Sequence, residues 1–144
     1  MPTELPDDVY DELTALCKRG DEHARNGELD EAYECYTAAW DLIPEPKGDW
    51  EASTWVLSAG GDIHFARANF EKALNQFLRA VQCPGGLGNP YIHLRIGQCQ
   101  FEKGNIAGAS ENITRADMGG GPELFEQEHP KYLAHLRTIL EGIE

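Results

Sequence analysis

The sequence predicts an all-α protein: three copies of a helix–turn–helix unit followed by one more amphipathic helix. Three observations carry this. An Ala-x3-aromatic/aliphatic-x2-Ala pattern recurs as Ala32…Tyr36…Ala39, Ala73…Phe77…Ala80 and Ala109…Ile113…Ala116. Twelve residues before each first alanine stands a glycine: Gly20, Gly61 and Gly97. Midway between glycine and alanine come Gly27, Ala68 and Gly104, and past each unit a proline: Pro44, Pro84 and Pro122. A pattern that recurs in register three times marks a repeat architecture.

Each element has a physical reason. In the first helix of every unit the glycine allows close approach to the second helix, and the anchor alanine does the same from the other side. Tyr36, Phe77 and Ile113, four residues after the anchors, lie on the same helical face and fill the space between repeats. The stretches Gly27-Glu28-Leu29-Asp30, Ala68-Asn69-Phe70-Glu71 and Gly104-Asn105-Ile106-Ala107 turn the chain, with Asp30 and Asn69 as expected N-cap groups. The prolines stop the second helix. The anchors are spaced by 41 and then 36 residues, so connectors intervene, the first at Glu45-Pro46-Lys47-Gly48. After the third unit, Pro130 to Leu140 reads as an amphipathic helix, and a repeat array needs such a helix to cover its last apolar face.

These residues resemble the tetratricopeptide repeat (TPR) family, whose period is about 34. The resemblance implies repeats at 13–46, 54–87 and 90–123, a capping helix at about 128–142, and a short right-handed solenoid forming a single domain over 1–144. The aromatic that the family places three residues after the glycine is here His23, His64 and Gln100. By the same resemblance, the first helix of each unit lines a concave groove that receives a partner. Carried over position by position, the groove holds Thr14, Cys17, Asp21, Ala24 and Arg25, then Trp55, Ser58, Asp62, Phe65 and Ala66, then Tyr91, Leu94, Gln98, Phe101 and Glu102. The expected partner-binding residues are Asp21, Arg25, Trp55, Asp62, Phe65, Tyr91, Gln98, Phe101 and Glu102. Aromatic anchors among selective charges are what a protein–protein hot spot needs. If the terminal helix folds into the groove, those aromatics become core instead. Family members that capture acidic chaperone tails use Lys and Asn where this chain has Cys17, Ser58 and Leu94, then Asp21, Asp62 and Gln98. That activity is not expected.

Charge narrows the partner. The 144 residues carry 12 Lys+Arg against 25 Asp+Glu, a formal net charge of −13. Residues 1–50 alone hold 4 basic and 14 acidic side chains. Such a field repels nucleic acid and anionic membrane and speeds encounter with a basic protein. No run of about 18 apolar residues is present to span a membrane, and the N-terminus lacks the basic and apolar regions of a signal peptide. Cys17, Cys35, Cys83 and Cys99 form no CxxC pair and read as buried thiols of a reducing, cytoplasmic protein.

Enzymatic readings find little footing. The five histidines, His23, His64, His93, His129 and His135, show no metal-ligand spacing. His23 and His64 occupy equivalent repeat positions, which suits packing better than catalysis. The glycine runs 84–88 and 119–122 precede no Lys-Ser/Thr and follow no strand, so they are connectors rather than phosphate cradles. No cofactor is implied. The stretch Gly88 to Cys99, with Asp117-Met118-Gly119-Gly120-Gly121 and Pro130-Lys131-Tyr132 downstream, resembles a group of small bacterial TPR proteins. Some of these act as immunity proteins that neutralise an antibacterial toxin. The resemblance implies a basic toxin domain as partner. A secretion chaperone or a scaffold subunit are the alternatives, and homodimerisation through open repeat faces suits a short array.

Overall fold

A computed structural model describes residues 5–143. Its regular structure is helical, with no strand among the described residues. The helices are α1 (Asp7–Arg25), α2 (Leu29–Leu42), α3 (Glu51–Ala66), α4 (Phe70–Ala80), α5 (Pro90–Glu102), α6 (Ile106–Gly120) and α7 (Pro130–Ile143). They fall into two compact units, Met1–Leu87 and Gly88–Glu144.

The first unit contains the hairpins α1/α2 and α3/α4, joined by packing of α2 on α3. Its core gathers Leu13, Ala32, Tyr36, Ala39, Ile43, Val56 and Ile63. A Cβ on Gly20 would lie 2.6 Å from the Tyr36 ring, and one on Gly61 would lie 2.8 Å from the Phe77 ring. In the second unit, a Cβ on Gly97 would lie 2.7 Å from Ile113 Cγ1 and 3.0 Å from the Ile113 backbone nitrogen. The three glycines and the three large residues are therefore one contact made three times, and it lies within each hairpin, where the expectation had the large residues filling the space between repeats. Both anchor alanines of every unit are also buried.

The turns within the hairpins are equally regular. Gly27, Ala68 and Gly104 all adopt positive φ, at +77°, +59° and +84°. Glycine does this freely, whereas an L-residue is strained there by about 1–2 kcal/mol. Ala68→Gly should therefore raise the melting temperature, by relief of about 0.5–1 kcal/mol once the added backbone entropy is subtracted. A variant less stable than the parent in a thermal melt would show that the Ala68 methyl is worth more than the strain.

Two expectations need adjustment. Asn69 caps α4 and Asn105 caps α6, accepting from Lys72 N and Gly108 N, but Asp30 caps nothing. It lies in the first turn of α2, where the N-cap position belongs to Glu28, and its carboxylate pairs instead with Arg67. The carboxylate still favours the positive end of the helix dipole. Helices α1 and α3 also begin earlier than the repeat bounds imply. Asp7 and Asp8 favour the first turn of α1. Before α3, the Trp50 indole donates to the Pro44 carbonyl at 2.8 Å and the Ser53 hydroxyl donates to the Lys47 carbonyl. The connector is thus built in: Lys47 Nζ donates to the carbonyls of Trp40 and Ile43, each at 2.7 Å, closing the C-terminus of α2.

The second unit pairs α5 with α6 and lays α7 against α6. Asn89 caps α5 through Tyr91 N and Ile92 N, with Pro90 in the first turn. After α6, Gly121 takes φ +74° and leads into a 3-10 turn, Pro122–Phe125, that buries Phe125.

Candidate functional site

The first helices of the hairpins carry the expected binding positions, and the two units treat them differently. In the first unit, α1 and α3 present an open face. Trp55 is 42% exposed and meets Tyr10, 43% exposed, edge-to-face at 6.4 Å. Such a pair keeps large apolar area at the surface with little rotamer freedom to lose on binding. Tyr10 precedes the first repeat and was not among the expected residues. Helical spacing to Thr14, Cys17 and Asp21 could have found it, since steps of four, seven and eleven share one face.

Carboxylates flank that aromatic pair along the helices. Asp21 is exposed and accepts from the Tyr36 hydroxyl at 2.6 Å. Burial first, then this bond and the charges of Asp21, Cys17 and Asp62, push the Tyr36 phenol far above its ordinary range. Tyr36 therefore stays a donor, and Asp21 stays oriented. Asp62, half-buried on α3, is close enough to act on the same phenol. The Cys17 thiol is pushed up to about 11 by burial, Asp21 and Cys35, so it is no nucleophile at neutral pH. Phe65 is half-buried and set edge-to-face on Phe70 at 5.4 Å. Arg25 is exposed in the last turn of α1. Ser58 Oγ is buried with no hydrogen-bond partner among the described residues.

In the second unit the corresponding positions are occupied from within. Gln98 is 0% exposed; it accepts from Arg95 at 2.8 Å and donates to Glu128 at 2.8 Å. Its placement among partner-binding residues is corrected: the segment before α7 takes the face that a partner would need. Phe101 meets Tyr132 at 5.7 Å and His135 at 5.2 Å, both edge-to-face and both on α7. Glu102 accepts from the Tyr132 hydroxyl at 2.8 Å and pairs with Lys131. Burial raises the Glu102 carboxyl, but Lys131 and Tyr132 together outweigh it and hold the group below its usual value. Tyr91 accepts from Arg95 Nε at 3.1 Å, and the guanidinium lies over its ring. The terminal helix thus covers Phe101 in part, and Phe101 and Tyr91 both stay half-buried rather than becoming core.

The histidines have local duties. His64 lies against Tyr33, with ring centroids 5.0 Å apart, and burial, Lys72 and Arg67 lower its pKa. His93 Nε2 accepts from Gly88 N at 3.0 Å, so Nδ1 carries the hydrogen toward Asn112 Oδ1, also at 3.0 Å. Among the described residues no group of three or more His, Cys, Asp or Glu could hold a metal ion. No helix among them is long and apolar enough to cross a membrane.

No family model and no curated protein matches the chain in sequence. Solved structures match its fold. The Yersinia enterocolitica type III secretion chaperone SycD, in complex with a peptide of the translocator YopD, is 18% identical. That match covers 93% of this chain and 96% of that one, with a TM-score of 0.70. The fold is the TPR fold. The first TPR of Spaghetti (RPAP3), bound to the HSP90 peptide SRMEEVD, is 20% identical, covering 92% of this chain and 96% of its own, with a TM-score of 0.66. The second TPR domain of human RPAP3, in complex with the HSP70 peptide SGPTIEEVD, is 16% identical, covering 92% and 98%, with the same TM-score of 0.66.

Proposed function

We propose that this chain is a non-enzymatic protein-binding module that takes a basic segment of a partner on the α1/α3 face. The observation that carries the reading is the exposed Tyr10–Trp55 pair on helices that also bear Asp21 and Asp62. Aromatic area supplies affinity there, and the carboxylates choose the sign of the partner. TPR-fold proteins that hold peptides support a peptide or an exposed protein segment as the ligand. The peptides on both RPAP3 domains end in Glu-Glu-Val-Asp. Asp21 and Asp62 would repel such a tail, so selection here runs toward basic sequence.

The finer reading is an immunity protein acting in the cytoplasm. A net charge of −13 suits the basic cleft of a toxin that works on nucleic acid, and it would speed capture. Likeness to a secretion chaperone seated on its translocator peptide favours a second reading, in which the client is an extended segment. Co-expression separates them. An immunity protein rescues cells from a toxin encoded beside it, whereas a chaperone leaves killing unchanged and solubilises a secreted client. Under either reading Trp55→Ala should weaken binding by about 2 kcal/mol or more, some thirtyfold, with helicity intact. Calorimetry on the purified pair reads the affinity and circular dichroism the fold. An unchanged affinity would move the binding surface elsewhere.

A further inference from the structure

The first unit holds a second feature beside the α1/α3 face, linked to it through Tyr36, which lines the feature and donates to Asp21. A cavity of about 190 Å³ opens between α2, α3 and α4, with Val56, Leu57 and Gly60 among its lining residues and Tyr33, Trp40 and Arg79 around them. A cavity of about 150 Å³ already accommodates a benzene ring, so this one has room for a single aromatic or branched side chain.

Its polar groups are arranged rather than incidental. Gln76 Nε2 donates to the Tyr33 hydroxyl at 3.0 Å, and His64 Nε2 lies 3.3 Å from the same oxygen. A Cβ on Gly60 would come within 2.5 Å of Gln76 Oε1, so the bare backbone there makes room for that amide. Trp40 is held by two cations, Lys47 Nζ at 5.1 Å and Arg79 Cζ at 5.3 Å from its ring centre. The Lys47 ammonium is committed to the carbonyls of Trp40 and Ile43. Arg79 is exposed, and no carboxylate lines the cavity. In a chain with 25 acidic residues and a net charge of −13, a cavity edged by an exposed arginine, with Asp21 already engaged by the lining Tyr36 hydroxyl, presents a positive group where the α1/α3 face presents carboxylates.

We infer that this cavity is a second docking site, which receives an apolar side chain of a partner protein's acidic segment while a neighbouring carboxylate of that segment pairs with Arg79. Arginine suits the task because its planar fork binds a carboxylate through two parallel hydrogen bonds.

The test is a titration of the whole chain by heteronuclear NMR with three probes: acetyl-Asp-Phe-Asp amide, acetyl-Lys-Phe-Lys amide and phenylacetate. The acidic peptide should shift the Trp40 indole N–H, the Gln76 side-chain amide and Arg79 Nε, and the lysine peptide should not. Arg79→Glu should weaken the response about tenfold or more, as loss of a charge-assisted hydrogen bond does. Thr37→Phe, which fills the cavity from α2, should abolish it. Trp55→Ala should respond as the parent does, which keeps this result separate from the α1/α3 reading. Equal shifts with the lysine peptide, no shifts with millimolar acidic peptide, or an unaffected Arg79→Glu variant would each overturn the proposal. A response to phenylacetate with none to the acidic peptide would overturn it too, assigning the cavity to small carboxylates.

Discussion

Phe77→Ala should lower the stability of the first unit by about 3–5 kcal/mol, the cost of deleting a buried ring and leaving its cavity. Phe77 is 0% exposed, and its ring fills the space that the missing side chain of Gly61 leaves between α3 and α4. The surroundings have little means of collapsing into the void. Both helices are anchored elsewhere, α4 by its Asn69 cap and α3 by the Thr54 hydroxyl, which donates to the Pro84 carbonyl at 2.7 Å. A single domain holds only about 5–15 kcal/mol in total, so the variant should sit near its unfolding midpoint at 37 °C. Urea titration followed by circular dichroism measures it. Because the chain comprises two compact units, the parent curve is to be checked first for two-state behaviour. A loss of under about 1 kcal/mol would mean that α3 and α4 close over the void, contrary to close packing at Gly61.

Glu128→Ala should be comparably damaging in the second unit. One carboxylate oxygen of Glu128 accepts from Arg95 at 2.6 Å and from Gln98 at 2.8 Å. The Arg95 and Glu128 side chains are only 14% and 12% exposed. Removing one member of a buried ion pair costs about 3–5 kcal/mol, because the other charge keeps its desolvation and loses its compensation. The loss should appear first as release of α7, since Glu128 lies just before that helix. Limited proteolysis should cut between Phe125 and Tyr132 faster than in the parent. Glu128→Gln, which keeps an acceptor for Gln98 but not the charge, should lie between the two. Equal protection in all three proteins would show that the Phe101 contacts with Tyr132 and His135 suffice to hold α7.

The repeat itself was legible because its information is local. Glycine, anchor alanine and filler residue recur at fixed steps along two adjacent helices, and helical geometry converts those steps into faces. The turn residues were legible for the same reason: positive φ at residues 27, 68 and 104 belongs to short-range stereochemistry. Even the strained Ala68 could be found, because its neighbours in the pattern are both glycines.

The proposed binding face was legible only in part. Position within the repeat placed Trp55, Asp21 and Asp62 on α1 and α3, the helices of the open face, and Gln98, Phe101 and Glu102 on the equivalent helix α5. It could not say that the latter three are occupied by residues some 30 positions later. Nor could it show that Tyr10 joins Trp55 across two helices, or that Trp40 edges a cavity between Lys47 and Arg79. Residue types and spacing determine which side of a helix is apolar, since that depends on neighbours three and four residues away. What covers that side depends on which distant segment returns to it, and only the folded chain decides that, because burial is a property of packed surfaces and not of any one helix.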